Sequence, residues 1–404
     1  MLPAAHSDYD VIILGGGISG LSLAYRAVRQ GRKVLLVERD AQVGGCMRSP
    51  RGEAASDAEP FWQELGAHTC YNSYLHLISL LEDRGLLNRI RAREKLGYFL
   101  LSDGELRSVT SQLGYSELLR SAFHLLNTRR EGQTMRAFYS RIVGTGNYDR
   151  VLGPMFSAVA SQDADEIAVE YLFKKRPQRR KDVLRNFTLT GGMQTLPEAL
   201  AATPGLTVKT GAAAVALTRD AGIYRVRLED GSLHTARVLG MALPPSTAAR
   251  LLADCAPAVS KELATIKTCC VTSIAVMLKR EAIALPRVAG IVSAGDRFTS
   301  VVSREVVPHP DFRGFTYHFR DADLNANIRR IEEVLGVDER QFEHLEVRKH
   351  VMPTLGVGHA ERVKRLDALT EGTPLLLTGN YFLGLSLEDC VARSFAEADR
   401  LERL

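Results

Sequence analysis

The sequence predicts an α/β fold built on a parallel sheet buried on both faces, and three adjacent observations predict it. Asp10-Val11-Ile12-Ile13-Leu14 is a short β-branched apolar run, the composition that a strand covered by helices on both faces requires. Gly15-Gly16-Gly17-Ile18-Ser19-Gly20 follows at once and opens a helical pattern of Leu21, Leu23, Ala24, Ala27 and Val28 that runs to a C-capping Gly31. Lys33-Val34-Leu35-Leu36-Val37 is a second buried strand, closed by Glu38.

Each part has a mechanical reason. A pyrophosphate reaches a helix N-terminus only where side chains are cleared from the turn. Gly15 makes the tight turn, Gly17 lets backbone approach phosphate, Gly20 lets the helix pack on the strand, and Ile18 and Ser19 offer the first helical N–H groups. Glu38, eighteen residues after Gly20, is placed to accept hydrogen bonds from ribose hydroxyls. Strand, turn, helix and acid agree on a Rossmann-like dinucleotide site, against the plainer reading of a glycine-rich structural turn. An acid at the second strand end disfavours a 2′-phosphate and hence NADP, and leaves NAD and FAD both open.

The whole chain bounds the rest. At 404 residues it has room for two interleaved domains or one large one. Hydrophobic residues at 45% and charged residues at 25% are those of an ordinary globular protein. The net charge of +5 comes from 52 basic and 47 acidic residues mixed along the chain, too mild and too dispersed for a nucleic-acid binder. Six cysteines without a C-x-x-C pair point to a reducing compartment, the cytoplasm. Met1 to Tyr9 has no signal-peptide pattern and every apolar run is short, so any membrane contact is expected to be peripheral, at the inner membrane.

The segment Glu38-Arg39-Asp40-Ala41-Gln42-Val43-Gly44-Gly45-Cys46-Met47-Arg48-Ser49 resembles flavin amine oxidases, phytoene desaturases and protoporphyrinogen oxidases, where it wraps FAD. The likeness continues in Glu64-Leu65-Gly66-Ala67-His68, in Gly191-Gly192-Met193-Gln194-Thr195-Leu196-Pro197, in Gly356-Val357-Gly358-His359 after Pro353, and in Leu377-Thr378-Gly379-Asn380-Tyr381-Phe382-Leu383-Gly384-Leu385-Ser386. The resemblance implies a GR2-type flavoprotein: a Rossmann-like FAD-binding domain interleaved with a mixed α+β substrate domain. It implies that Arg39, Gly44, Gly45, Arg48, Gly66, Ala67, His68, Gly379, Asn380, Gly384, Leu385 and Ser386 join the first turn and Glu38 around FAD, with Val215 meeting the adenine through its backbone. Read without the family, Gly44-Gly45 with Arg48 suits a loop lying close to an anion, and Val208 to Leu217, Tyr224 to Leu228 and Val238 to Leu243 read as a β-meander. Leu375-Leu376-Leu377 reads as a strand feeding a terminal helix from Leu387 to Leu401, whose positive end suits charge developing on a reduced flavin.

The implied domain order is FAD-binding at 1–75, a mostly helical substrate segment at 76–185, FAD-binding at 186–255, a second substrate segment at 256–350 and FAD-binding at 351–404. Val271 to Leu278 reads as a strand of the substrate half. Lys174-Lys175-Arg176-Pro177-Gln178-Arg179-Arg180-Lys181 is the one dense basic run, expected as a solvated loop, or else as a surface for anionic lipid or substrate carboxylates.

No Ser-His-Asp, Cys-His or metal-ligand spacing stands out among the ten histidines, so hydrolase and metalloenzyme readings are weak and no metal is expected. With flavin bound, the reaction is hydride removal from a C–H next to nitrogen or carbon, with dioxygen the expected acceptor; His68 and His359 are the histidines placed nearest the flavin. The resemblance points to protoporphyrinogen oxidase, with two departures. The family's Asn-Arg pair before an aromatic strand is matched by Leu96-Gly97 before Tyr98-Phe99, and its late tryptophan and tyrosine by His350 and Leu355. These favour a smaller cyclic amine or pyrroline as an alternative substrate. A flavin-free, partner-binding protein is the remaining alternative, by resemblance to Rab escort and GDP-dissociation-inhibitor proteins.

Overall fold

Alternation of apolar residues sets the architecture. In the first strand, Tyr9–Leu14, Val11 and Ile13 point to one face and Ile12 and Leu14 to the other, and all four are buried. The structure, a computed structural model, describes residues 7–52, 60–126 and 128–404; the Met1–His6 part of the N-terminal stretch lies outside them.

Around that strand a seven-stranded sheet forms in the order Leu206–Lys209, Val34–Val37, Tyr9–Leu14, Leu233–Met241, Ile223–Leu228, Ala214–Asp220, with Leu375–Leu377 also beside Leu233–Met241. Strand Leu233–Met241 divides its outer edge. Residues 233–236, ahead of the Val238 start expected for the meander's last strand, pair antiparallel with Tyr224–Arg227, and Leu239–Met241 pair parallel with Leu375–Leu377. Helices Ile18–Arg29, Leu75–Asp83, Thr195–Ala201 and Leu387–Leu401 cover the Val11/Ile13 face. Pro245–Leu252, Pro257–Ala264 and His359–Thr370 cover the other.

The second seven-stranded sheet runs Phe342–Pro353, Thr268–Lys279, Phe312–Phe319, Phe298–Ser303, Gly290–Ser293, Tyr98–Ser102, Glu105–Ser108. One face packs Ile274, Val276, Phe315, Tyr317 and Phe319 against Ile331 and Leu335 of helix Leu324–Leu335. The other face turns Ser273, Gly314, Thr316 and His318 toward the parallel sheet, where Thr316 Oγ1 donates to the Glu64 carbonyl at 2.7 Å.

The segment 76–185 carries helices such as Tyr115–Ser121, Met135–Val143 and Gly153–Ala160, and beside them Tyr98–Ser102 and Glu105–Ser108 form a hairpin that extends the second sheet, its turn made by Asp103 and Gly104 at φ +53° and +80°. The core of the parallel sheet reaches past two expected boundaries. Helix Leu75–Asp83 places Leu77, Ile78, Leu80 and Leu81 in the core of the parallel sheet, so that core extends past residue 75. Helix Pro257–Ala264 does the same on the opposite face through Val259 and Leu263, past residue 255. Among the described residues no helix is long and apolar enough to cross a membrane.

Candidate functional site

The site grows from the C-terminal edge of the parallel strands. Gly15 leaves the first strand at φ +107°, and a methyl there would run into the Ala242 carbonyl oxygen. Gly20 is tighter, since a methyl would strike the Gly15 carbonyl oxygen. Gly17 differs: nothing lies within 4 Å of where its Cβ would stand. No protein atom therefore crowds the side of the turn at Gly17, the N-cap of helix Ile18–Arg29. Glu38 holds the turn, accepting from Gly16 N–H at 2.6 Å through one carboxylate oxygen and from Asp40 N–H at 2.9 Å through the other. A carboxylate keeps further lone pairs for ribose hydroxyls after these two bonds.

The Gly-Gly loop comes to the same place. Gly44 N–H donates to the Gly16 carbonyl at 2.8 Å, and a methyl on Gly45 would stand 3.2 Å from Gly17 Cα. Arg48 turns back toward Glu346, 3.6 Å away on strand Phe342–Pro353. Gly66 and Ala67 lie on this loop, with Ala67 N–H donating to the Cys46 carbonyl at 2.9 Å. The 191–194 segment buttresses it from behind: Ser49 N–H donates to Gln194 Oε1 at 2.9 Å and Met193 N–H to Glu64 Oε1 at 2.9 Å. Burial pushes the Glu64 carboxyl up to about 7, against the lowering effect of its hydrogen bonds from Ser49 and Met193.

The C-terminal loop arrives from the same side, which helix packing determines. Ser394 Oγ donates to the Ser19 carbonyl at 2.9 Å, Arg26 pairs with Asp399 at 3.0 Å, and Gln30 reaches Glu402 at 3.0 Å. Residue numbers climb together, so helices Ile18–Arg29 and Leu387–Leu401 run side by side in one direction. Leu387 is seven residues ahead of Ser394 and Ile18 one ahead of Ser19. That six-residue offset carries the second helix N-terminus ~9 Å beyond the first. A phosphate at the first N-terminus would thus have the rest of an extended dinucleotide running toward the second. Gly384 permits the closing turn, since a methyl there would meet Asp389 Oδ2 at 2.6 Å, and Ser386 caps the helix by accepting from Asp389 N–H at 3.1 Å.

The remaining expected residues fall as follows. Gly379, Asn380 and Leu385 lie in this same loop, Asn380 against Met352 and Leu385 against an apolar cluster that includes Ala160 and Ile167. Val215 is half exposed on the meander, three residues past Ala212, whose N–H donates to the Glu38 carbonyl at 3.0 Å. Arg39 is not drawn in: its side chain is 72% exposed and meets Asp40 at 3.8 Å. His359 supports the loop from below. It is fully buried, with Nε2 2.6 Å from the Tyr381 carbonyl and its ring edge-on to Tyr171, which is the environment of a structural histidine rather than one facing a substrate. His68 lines a pocket instead, with Nδ1 3.2 Å from the Gly66 carbonyl. Burial and the nearby Arg93 charge lower its pKa to about 4, so it is neutral.

Several site residues carry no sequence signal. Arg93 lines a pocket with His68, Gln63, Val302 and Thr316, and its Nε is buried without a hydrogen-bond partner. Tyr71 lies within electrostatic reach of both Arg93 and Tyr98. Cys46 Sγ sits 3.6 Å from His350 Nδ1; burial alone would raise the thiol, but the His350 ring, the contact to it and Arg348 bring it below its ordinary value. The basic run, which the sequence reads as a solvated loop, is not one throughout. Lys174 and Arg176 reach Asp389 at 3.1 and 3.0 Å, and Arg180 pairs with Glu82 at 2.8 Å. Such partners are about a hundred to more than two hundred residues apart in sequence and only topology unites them.

The glycine cradle fits FAD: bare backbone, an open face at Gly17, an acid for ribose and a second helix end beyond. The chain matches the flavin containing amine oxidoreductase family over residues 18–282. It is 25% identical to a coproporphyrinogen III oxidase of Propionibacterium freudenreichii subsp. freudenreichii, over 98% of this chain and 91% of that one. It is 23% identical to protoporphyrinogen oxidase 2 of Arabidopsis thaliana, over 48% of this chain and 47% of the other. In structure it resembles a protein assigned as a protoporphyrinogen oxidase from Exiguobacterium sp. 255-15, with a TM-score of 0.80 at 18% identity, covering 99% of this chain and all of that one. With that match spanning more than half of its length, the chain belongs to the flavin containing amine oxidoreductases and is an FAD-dependent oxidoreductase.

Proposed function

We propose that this enzyme oxidises a porphyrinogen, with dioxygen as the terminal acceptor. The observation that carries the reading is the likeness to a coproporphyrinogen III oxidase along almost the whole of both chains. When bound, FAD supplies the two-electron acceptor for hydride leaving a methylene bridge of the substrate.

The cofactor-holding set in this reading is Gly15, Gly17, Ile18, Ser19, Gly20, Glu38, Gly44, Gly45, Arg48, Gly66, Ala67, Val215, Gly379, Asn380, Gly384, Leu385 and Ser386. Arg39 is left out because it faces solvent. Arg93 binds a substrate carboxylate. Its unpartnered Nε and pocket position supply the guanidinium that Leu96-Gly97 lacks, which removes one reason for a smaller substrate. Tyr71, beside Arg93, and Tyr98, beside Tyr71, are 43% and 41% exposed and offer aromatic faces for the substrate's pyrrole rings. Because a carbonyl can only accept, His68 Nδ1 carries the hydrogen toward Gly66, leaving the Nε2 lone pair to take a pyrrole N–H proton as hydride departs.

Mixing the FAD-loaded protein anaerobically with coproporphyrinogen III, protoporphyrinogen IX and a panel of cyclic amines tests this. A porphyrinogen should bleach the flavin absorbance anaerobically as it gives up one electron pair, and admission of air should restore the oxidised flavin with peroxide released and carry the two remaining two-electron steps to the fluorescent porphyrin. Bleaching by an amine alone would overturn the substrate assignment.

A further inference from the structure

We propose that Lys174, Arg176 and Asp389 form a charge clamp under the C-terminal loop, and that its surplus positive charge sets how readily the flavin ring takes on negative charge. The inference depends on FAD and not on the identity of the substrate.

Three contacts define the clamp. Lys174 Nζ donates to the Leu383 carbonyl and sits 3.1 Å from Asp389 Oδ1. Arg176 lies 3.0 Å from the same Asp389 oxygen and donates to Ser386 Oγ at 3.0 Å. Both cations also lie against aromatic rings, Lys174 5.8 Å from the Tyr171 centroid and Arg176 5.3 Å from that of Tyr74. A methyl on Gly384 would come within 2.6 Å of Asp389 Oδ2 and 3.4 Å of Lys174 Nζ, so the cluster lies against the backbone of the closing turn itself.

The charge count is what distinguishes the clamp from a staple. One cation would neutralise Asp389; two leave a net charge of +1. The side chains are 27%, 23% and 9% exposed, so solvent screens them less than it screens ordinary surface pairs. Burial raises the Asp389 carboxyl, but the Ser386 hydrogen bond and the two cations outweigh that and bring it below its ordinary value, so it stays ionised. The surplus charge stands at the N-terminus of helix Leu387–Leu401, where it adds to the positive pole of the backbone. This is the helix end that projects beyond the phosphate-facing one.

Sulfite reads this charge directly. Its lone pair adds to N5 of oxidised flavin, the displaced electron pair passes into the ring, and the adduct is an anion formed without a proton. In the FAD-loaded protein, Lys174→Met should weaken sulfite binding about tenfold, the size of effect a unit charge has across several ångströms of protein. Asp389→Asn should tighten it by a similar factor, Lys174→Arg should leave it unchanged, and the double variant should return to near the wild-type value. Arg176→Gln gives a second removal of positive charge should Lys174→Met fail to hold FAD. Opposite signs for the two charge removals support the clamp. Weakening by both, or no change in either beside a lowered melting temperature, overturns it and leaves a structural staple.

Discussion

Gly17 and Gly20 are three residues apart in one turn and are glycine for different reasons, which substitution should separate. A methyl at Gly20 has the Gly15 carbonyl and Ala242 Cβ in its way, whereas Gly17, at φ −75°, tolerates any residue conformationally and has no protein atom to strike. Gly20→Ala should therefore destabilise the protein even without cofactor, by about 1–3 kcal/mol in chemical unfolding. Gly17→Ala should leave the cofactor-free melting temperature unchanged and weaken FAD binding by about tenfold or more in a fluorescence titration. Equal loss of cofactor-free stability in both would show that Gly17 serves the fold and not the phosphate. His318 offers a test by pH. It is buried, with Nδ1 2.9 Å from Ser273 Oγ, and burial, with His350 and His68 adding to it, lowers its pKa to about 3 from an ordinary 6.5. Between those values the unfolded chain binds a proton the folded chain refuses, so this contribution is complete above pH 6.5 and is lost as pH falls through the window. His68, lowered to about 4, acts in the same sense. Glu64, raised to about 7, acts oppositely, its contribution present below the ordinary 4.5 and lost as pH rises through 7. In His318→Asn the melting temperature of the cofactor-free protein should fall less steeply from pH 6.5 to 4 than in the wild type; parallel curves would refute the assignment.

Between elements, the seam of the two long helices matters most, because it sets the offset of their N-termini. Ser394 is fully buried there, donating to the Ser19 carbonyl at 2.9 Å and sharing a 2.8 Å hydrogen bond with Thr378. Ser394→Ala strands those partners in a dry interface and should cost about 1–3 kcal/mol in urea unfolding. It should also weaken FAD binding, since both helix ends would lose their register; a stability loss with unchanged FAD affinity would show that the seam does not position the cradle. The strands legible in the sequence were those with a clean apolar run, such as Asp10 to Leu14, Lys33 to Val37 and Val271 to Leu278. Strand Phe342–Pro353 escaped because it is the edge of its sheet and carries Glu346, Arg348 and Lys349, charges that break the apolar signal. Those charges have partners in the cofactor loop, Glu346 with Arg48 and Arg348 with Asp40. The glycine turns were legible because backbone proximity to an anion demands one residue type. Arg93, the Cys46–His350 pair and the Lys174–Asp389 clamp were not, since their meaning comes from partners that only the folded chain supplies.

Across the whole molecule, FAD should act as a cross-link between the two ends of the chain. The turn at Gly15–Gly20, the loop at Gly44–Gly45 and the turn at Gly384–Ser386 come from opposite ends of 404 residues, the first two joined by Gly44 N–H to the Gly16 carbonyl and the third placed by the Ser394–Ser19 helix seam. Each would lie against a bound dinucleotide, so a single binding event should slow hydrogen exchange in all three segments together. The same linkage should raise global stability by about 2.7 kcal/mol at a free FAD concentration one hundred times its dissociation constant. Amide exchange followed by mass spectrometry across an FAD titration measures both. Protection of the peptides containing Gly17, Gly44 and Gly384 should rise with one shared midpoint, while the far edge of the second sheet, Glu105–Ser108, should change only by the global amount. Protection confined to the N-terminal turns, with the 384–386 peptide exchanging as before, would mean that the cofactor contacts one helix end alone, and that the ~9 Å projection of the second serves something other than the flavin.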